Sequence, residues 1–395
     1  VEQLRVGVFN TQPPHLYFGG VERRIMEVAK RLRGKVNIRI YSGTKAGFTK
    51  PTYVNGALLI PCFSTDLFFP VDNWFFNWTL SRKINLKDCD VYESHTVSGY
   101  GILKLTRKRN TAKPLIETIH GVLADEYAQT VKGLFPTLRL KASRIFMKKL
   151  ISAEKKLAQK ADLIVTVSKY SLQKIVENYE VSRDKIIVVP SGVDVERFKP
   201  VSEPEKIEIK RRLGLSGREC VLYVGSLIPR KGLNYLLETA KQVVKEKINV
   251  TFVIVGEGPL RGYIMAYSKK AGLQENIKLL GKVSENFLPE MYNCADIFVS
   301  PSLQEGQGLT LLEAQASGIP VIAFSAGAVS ENMLHNKTGI LIKPSSEEMA
   351  EAVLRLLADK ALRDKMGKEG RKFSVKNFSW KKCAERMLKV YRELV

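Results

Sequence analysis

Glu305 and Glu313 stand with seven residues between them in "SLQEGQGLTLLEAQASGIPVIA", residues 302–323. Gly306 and Gly308 bracket a turn between the two acids, and an apolar helical pattern begins near Leu309. Glycine allows positive φ and close approach of a ligand to the backbone. The free amides where that helix starts, around Gly308, Leu309 and Thr310, suit a phosphate. Glu313, one turn in, can accept two hydrogen bonds from a ribose diol, and Glu305 can hold sugar hydroxyls. Acid, bare amides and second acid, in that order, fit a nucleotide sugar. A helix-dipole partner would account for Glu313 alone, but not for the whole arrangement.

Two further loops carry compatible chemistry. "VLYVGSLIPRKGLNYLLETAKQV" (221–243) reads as strand, loop and helix, with Arg230 and Lys231 at the loop's end before Gly232. Guanidinium, ammonium and free amides together favour a diphosphate. Taken alone, the pair would read as two solvated cations. "VTFVIVGEGPLRGYI" (250–264) places Gly256 and Gly258 after a strand, but Arg261 stands where a dinucleotide fingerprint needs its third glycine. That disfavours NAD and leaves a turn through which backbone approaches a ligand. "DCD" (88–90) spells the D-x-D metal motif of a different transferase fold. Here it precedes a strand rather than following one, so Asp90 reads as a strand-entry residue. The four histidines are scattered singly, and no metal site is expected. His95 and His335 read as structural or solvated.

These loops need a frame, and the chain supplies one in two alternating halves. Short β-branched runs fall at 4–9, 36–41, 91–93, 115–119, 163–167 and 186–189, then at 221–224, 250–255, 277–280, 297–299, 321–324 and 339–342. Helical patterns such as "GVERRIMEVAKRLRG" and "SLQKIVENYE" fill several of the gaps. Strand–helix alternation means parallel sheets wrapped by helices. Between the halves, "FKPVSEPEKIEIKRRLGLSGREC" reads as a linker with a short helix. The expected architecture is α/β, with two Rossmann-like doubly wound domains, 1–200 and 201–379, facing across a cleft. In such sheets ligands bind beyond the carboxyl ends of the strands.

Composition narrows the setting. With 395 residues and 45% hydrophobic content the chain can bury large cores. Five cysteines form no C-x-x-C pair, which argues against a disulfide framework and fits a reducing cytoplasm. The beginning "VEQLRVGVFN" lacks the layout of a signal peptide, and no run approaches a spanning helix; "LFFPVDNWFFNW" is broken by Pro70 and Asp72. Net charge is +23, of which +15 lies in residues 1–200. Such a field attracts anionic substrates, anionic lipid or nucleic acid, while a solvated Lys- and Glu-rich surface is the plainer reading. Residues 131–160 hold nine Lys or Arg against one acid, Glu154. On a helix starting near Pro136, Lys141, Arg144, Lys148 and Lys155 share one arc.

Taken together, the motifs resemble the family-4 retaining glycosyltransferases of the GT-B fold (glycosyltransferase group 1). "EGQGLTLLEA" is similar to the family's paired-glutamate motif. "VVPSGVDVERF", "ADLIVTVSKYS", "VGSLIPRKG", "VGEGP", "FGGVERRIMEVAKRL" and "ETIHG" match in order along essentially the whole chain. The resemblance implies that Gly19 and Gly20 let backbone approach the diphosphate or acceptor, and that His120 lies near the transferred sugar. Arg230 and Lys231 would stabilise the departing diphosphate, Glu305 would bind sugar hydroxyls and Glu313 the ribose. Backbone near Lys282 and Val283 would meet the base, and the last helix, about 380–395, would cross back onto the first domain. Gln307 stands where the family usually has Phe, Ser226 where many members have Arg, and Gly327–Ala328 where Gly-Gly is common.

The implied reaction moves a hexose or N-acetylhexosamine, with retention and without metal, from a nucleotide sugar to an acceptor hydroxyl. A UDP-sugar is expected ahead of GDP-mannose, with no other cofactor. The expected acceptor is a glycan or lipid-linked molecule at an anionic membrane surface, on the inner face of the cell membrane; no nucleic acid is expected. The rival readings are a transferase with a small-molecule acceptor, a polyanion-binding protein and an NAD-dependent oxidoreductase. A polyanion binder would interleave aromatics on a basic surface, and none flank these motifs.

Overall fold

The computed structural model describes residues 3–17, 19–65, 69–103, 113–132 and 138–395. The chain divides into two compact units. The first takes in Val1–Ala128, Pro136–Gly192 and Trp380–Val395, and the second Gln129–Phe135 and Val193–Ser379.

The first unit is built on strands β1 (Arg5–Asn10), β2 (Asn37–Gly43), β3 (Thr52–Val54), β4 (Ala57–Cys62), β5 (Val91–His95), β6 (Leu115–Ile119), β7 (Leu163–Thr166) and β8 (Ile186–Val188). They form one sheet in the order β3-β4-β2-β1-β5-β6-β7-β8. Only the β3–β4 pair is antiparallel. Its turn is Asn55–Gly56, both at positive φ (53° and 86°). Asn-Gly is the residue pair a two-residue hairpin demands. The expected strand list lacks both β3 and β4, although "YVNGAL" carries that signal. It also ends β5 at residue 93. The ladder runs on, with Ser94 opposite Glu117 and His95 opposite Thr118, because backbone pairing does not depend on the side chains being apolar.

Helix α1 (Gly20–Leu32) buries Ile25, Val28, Ala29 and Leu32 at helical spacing. It is followed by α2 (Phe69–Lys83), α3 (Leu123–Lys132), α4 (Leu138–Lys160) and α5 (Lys169–Tyr179). Pro136, read as a helix start, and the side chains of Lys141 and Arg144 lie outside the described residues. Among the described residues no helix is long and apolar enough to cross a membrane.

The second unit opens with α6 (Glu203–Arg212). A six-stranded parallel sheet follows, in the order β11-β10-β9-β12-β13-β14. Its strands are β9 (Glu219–Val224), β10 (Val250–Val255), β11 (Ile277–Gly281), β12 (Ile297–Ser300), β13 (Val321–Phe324) and β14 (Gly339–Ile342). β10, β12 and β13 are buried along their whole length, as strands covered on both faces must be. Around them pack α7 (Leu233–Glu246), α8 (Arg261–Lys270), α9 (Leu288–Asn293), α10 (Leu309–Ala316), α11 (Ser346–Ala358) and α12 (Lys360–Asn377). Helix α6 is fastened by Lys206 and Lys210, which hold Asp296 at 2.9 and 2.6 Å. The final helix, α13 (Trp380–Glu393), belongs to the first unit. Its buried Trp380, Met387 and Tyr391 share a core with Ile25 and Val28 of α1. All five cysteines are free and buried.

Candidate active site

In the second unit the singled-out loops all leave the carboxyl ends of the parallel strands. The β9 loop closes in a 3-10 turn, Pro229–Lys231, ended by Gly232 at φ 66°. This turn brings Lys231 Nζ within 2.5 Å of Glu305 Oε1, in the loop after β12. Arg230 Nη1 donates to the backbone oxygen and Oε1 of Gln304 at 3.3 and 3.4 Å. Leu303 N bonds to Arg230 O at 2.9 Å, so backbone also ties the two loops together. Glu305 is only 8% exposed. Burial by itself would raise its carboxyl. The charges of Lys231 and Arg230, with hydrogen bonds from Lys231 and Ser302, outweigh it and hold the group below the ordinary glutamate range.

Gly327 secures Glu305 from below. Its φ is 60°, and a Cβ there would lie 2.4 Å from Glu305 O. Next to it, Ala328 N donates to the same oxygen at 2.9 Å. The sequence marked Gly327 only as part of a departure from a family pattern; the backbone contact shows what the glycine does. Gly308 begins α10 in the left-handed region, at φ 82°. Leu309 and Thr310 follow half-buried, and Gln307 is buried. Glu313 is buried one turn further in, where Tyr292 Oη donates to its Oε2 at 2.6 Å. Tyr292 lies on α9, and no spacing or motif marked it as the partner of Glu313.

The glycines after β10 serve packing. A Cβ at Gly256 would stand 1.9 Å from Gly225 O, and one at Gly258 2.5 Å from Leu227 O. These glycines let the β9 and β10 loops lie backbone against backbone. After β11, Lys282 is exposed and Val283 half-buried, with Lys282 N donating to Glu257 Oε1 at 3.4 Å.

In the first unit, Gly19 and Gly20 start α1, where the Glu22 carboxylate folds back against the helix amides. A Cβ at Gly19 would be 2.3 Å from Glu22 Oε2. Burial raises the Glu22 carboxyl, against hydrogen bonds from its own amide, from Asn10 and from that of Gly19. An internal carboxylate thus already occupies this helix start. His120 sits half-buried at the end of β6. Its Nε2 is 2.9 Å from Nδ1 of His95, with the two ring planes 24° apart. His95 is buried, as expected of a structural histidine, but its partner is the singled-out His120. Asp90 holds the Arg5 guanidinium at 2.7 Å and Asp88 that of Arg39 at 2.9 Å. Both carboxylates of "DCD" are therefore engaged by arginine, with Asp90 at the strand entry.

Comparison with known proteins divides the chain as the two units do. Residues 18–197 match the family described as Glycosyltransferase Family 4, and residues 205–373 the one described as Glycosyl transferases group 1. An uncharacterized glycosyltransferase of Methanocaldococcus jannaschii is 31% identical over 232 residues, 58% of this chain and 59% of that protein. A GDP-mannose-dependent alpha-(1-6)-phosphatidylinositol monomannoside mannosyltransferase of Mycobacterium tuberculosis is 29% identical over 60% of this chain and 63% of its own length. The chain thus spans about three fifths of the length of these relatives. The solved sucrose-phosphate synthase of Thermosynechococcus elongatus superposes with a TM-score of 0.84 at 20% identity, over 99% of both chains. That last likeness is one of fold.

Proposed function

Because the chain belongs to the group 1 glycosyl transferases, glycosyltransferase family 4, we propose that it transfers a hexose or N-acetylhexosamine from a nucleotide diphosphate sugar to an acceptor hydroxyl, with retention. The observation that carries this reading is the Lys231–Glu305 pair, seated with Arg230 beside the glycine-started helix α10. Departure of the diphosphate is the demanding step. Arg230, Lys231 and the first amides of α10 are placed to meet negative charge as it develops, and such preorganised donors contribute about 3–4 kcal/mol each. Glu305, ionised by its neighbours, accepts hydrogen bonds from sugar hydroxyls. Glu313, oriented by Tyr292, takes the ribose diol. The acceptor hydroxyl attacks from the side of the leaving group, and the leaving phosphate takes its proton.

The donor is proposed as a UDP-sugar, with GDP-mannose tested on equal terms because the Mycobacterium tuberculosis relative is named for that donor. The acceptor is proposed as a glycan or lipid-linked molecule at an anionic membrane surface. In support, Lys148 and Lys149 are exposed on α4, whose one acid, Glu154, is buried. On α2, Trp74 and Trp78 are 62% and 45% exposed, with the Arg82 guanidinium 3.8 Å above the Trp78 ring. Trp and cations together suit a membrane interface.

Thermal shift with UDP, GDP, ADP and NAD tests the class, and release of free nucleotide from UDP-glucose, UDP-N-acetylglucosamine and GDP-mannose tests the donor. One nucleoside diphosphate should stabilise the protein, and NAD should not. Stabilisation by NAD alone, or by none of the four, would sink the proposal.

A further inference from the structure

The His95–His120 contact has a direction, and the side chains behind it set that direction. Two neutral imidazoles joined nitrogen to nitrogen must divide the roles, one donating and one accepting. Burial pushes His95 down to about 3, and His120 is lowered too, by burial and then by His95 and Arg24. Both rings are therefore neutral near pH 7. His95 Nδ1 faces His120 Nε2 at 2.9 Å, and its other nitrogen, Nε2, lies 3.4 Å from Glu93 Oε1.

Glu93 decides which nitrogen of His95 carries the proton. Its Oε1 accepts from Thr118 Oγ1 at 2.6 Å, and its Oε2 accepts from the Tyr391 hydroxyl of α13. Receiving hydroxyl protons on both oxygens is what a carboxylate does. Burial raises the Glu93 carboxyl above the ordinary glutamate range; the hydrogen bonds from Thr118 and Tyr391 and the charge of Arg24 oppose that rise without cancelling it. Arg24 shares a small cavity with Glu93, His95 and Tyr391. It is held there by Val189 O at 2.7 Å and Ser191 Oγ at 3.2 Å. With both Glu93 oxygens accepting hydroxyl protons and Oε1 3.4 Å from His95 Nε2, the arrangement favours the N–H on that nitrogen, which leaves His95 Nδ1 as the acceptor and makes His120 Nε2 the donor.

We infer that Glu93 and His95 are positioning residues that hold His120 as its Nε2–H tautomer, so that its Nδ1 is the acceptor offered to a hydroxyl of the transferred sugar. The last clause rests on the place near the transferred sugar that the family resemblance implies for His120. The opposite tautomer would present an N–H, which suits a phosphate oxygen instead. The chain Tyr391–Glu93–His95–His120 thus connects the final helix of the sequence to the end of β6.

The test uses the full chain with 15N-labelled histidine. Long-range proton–nitrogen correlation separates an N–H nitrogen from a lone-pair nitrogen, and single His→Gln changes assign the four imidazoles. Wild type near pH 7 should show His120 protonated at Nε2 only. In Glu93→Gln, the carboxamide can present an N–H to His95, which reverses the chain and moves the His120 proton to Nδ1. Tyr391→Phe keeps the carboxylate and should keep the wild-type tautomer. Glu93→Gln should also lower kcat about 10–100-fold with little change in donor KM, a loss like that caused by removing the partners that orient metal-bound imidazoles. His120 protonated at Nδ1 in wild type, a result that needs no variant to fold, overturns the inference. So does an unchanged His120 in folded Glu93→Gln. A tautomer that switches as stated while kcat holds supports the relay and overturns the placement of His120 at the sugar.

Discussion

Half-buried Lys231 and buried Glu305 form an ion pair, so a change at one disturbs the other. Lys231→Ala removes a cation from the developing diphosphate charge and should lower kcat by about two to three orders of magnitude. It also leaves Glu305 buried without its cation, which is destabilising. Lys231→Ala combined with Glu305→Gln should regain stability in a thermal melt but not turnover. Recovery of turnover, or single-variant kcat within threefold of wild type, would show that the pair is structural. Glu313 differs, because its proposed partner, ribose, is held equally in ground and transition states. Glu313→Gln should mainly raise donor KM. Tyr292→Phe should do so more weakly, through the lost 2.6 Å hydrogen bond that orients the carboxylate. Unchanged donor KM in both would remove Glu313 from the ribose site.

At the scale of elements, the loops after β12 and β13 act as one piece because Gly327 lies on the backbone of Glu305. Gly327→Ala puts a Cβ 2.4 Å from Glu305 O at a φ of 60°. Two effects then oppose the native loop, and the variant should lose about 1–3 kcal/mol of stability together with most turnover. Wild-type melting and kinetics would show that the loop adjusts freely. A second element-scale prediction concerns α4, whose Glu154 is pushed up to about 8, above the 4.5 of an ordinary glutamate. Burial is the main cause, opposed by hydrogen bonds from Tyr179 and the Leu123 amide. Between those two values only the folded state holds the proton. This group's contribution to stability therefore falls as pH rises through that window, by at most about 1.4 kcal/mol per pH unit. Glu154→Gln should flatten the decline between pH 5 and 8, as read by denaturant unfolding. An unchanged slope would mean that Glu154 is ionised when buried.

At the scale of the whole chain, a net charge of +23 is a statement about partners. Lys155 is less available than its place in the helical arc suggests, since it pairs with Glu180 at 2.7 Å. The proposed membrane contact therefore leans on Lys148, Lys149 and the Trp74–Trp78 stripe. Wild type should sediment with anionic vesicles at low salt and be released at high salt, as surface attraction is screened. Lys148→Glu with Lys149→Glu, and separately Trp74→Ser with Trp78→Ser, should each weaken the partitioning severalfold. Absence of wild-type binding, or equal salt-insensitive binding by all three proteins, favours an acceptor in solution.

The alternation of strands and helices was legible before folding, because apolar periodicity is a local consequence of which faces are buried. The sequence also placed the loops that carry Arg230, Lys231, Glu305 and Gly308, since strand ends in a parallel sheet converge on one edge. β3 and β4, absent from the expected strands, also follow from a local signal, the Asn55–Gly56 turn between them. What the sequence could not decide is which side chains meet. Lys231 reaches Glu305 across 74 residues, Tyr292 reaches Glu313 across 21, and Tyr391 reaches Glu93 across 298. Such pairings depend on strand order and register. His95 illustrates this: a lone histidine in the sequence becomes half of a hydrogen-bonded pair because β5 lies beside β6 with His95 opposite Thr118, two residues before His120. Neighbouring strands bring together side chains that no spacing along the chain connects, and only the folded sheet fixes which of them become partners.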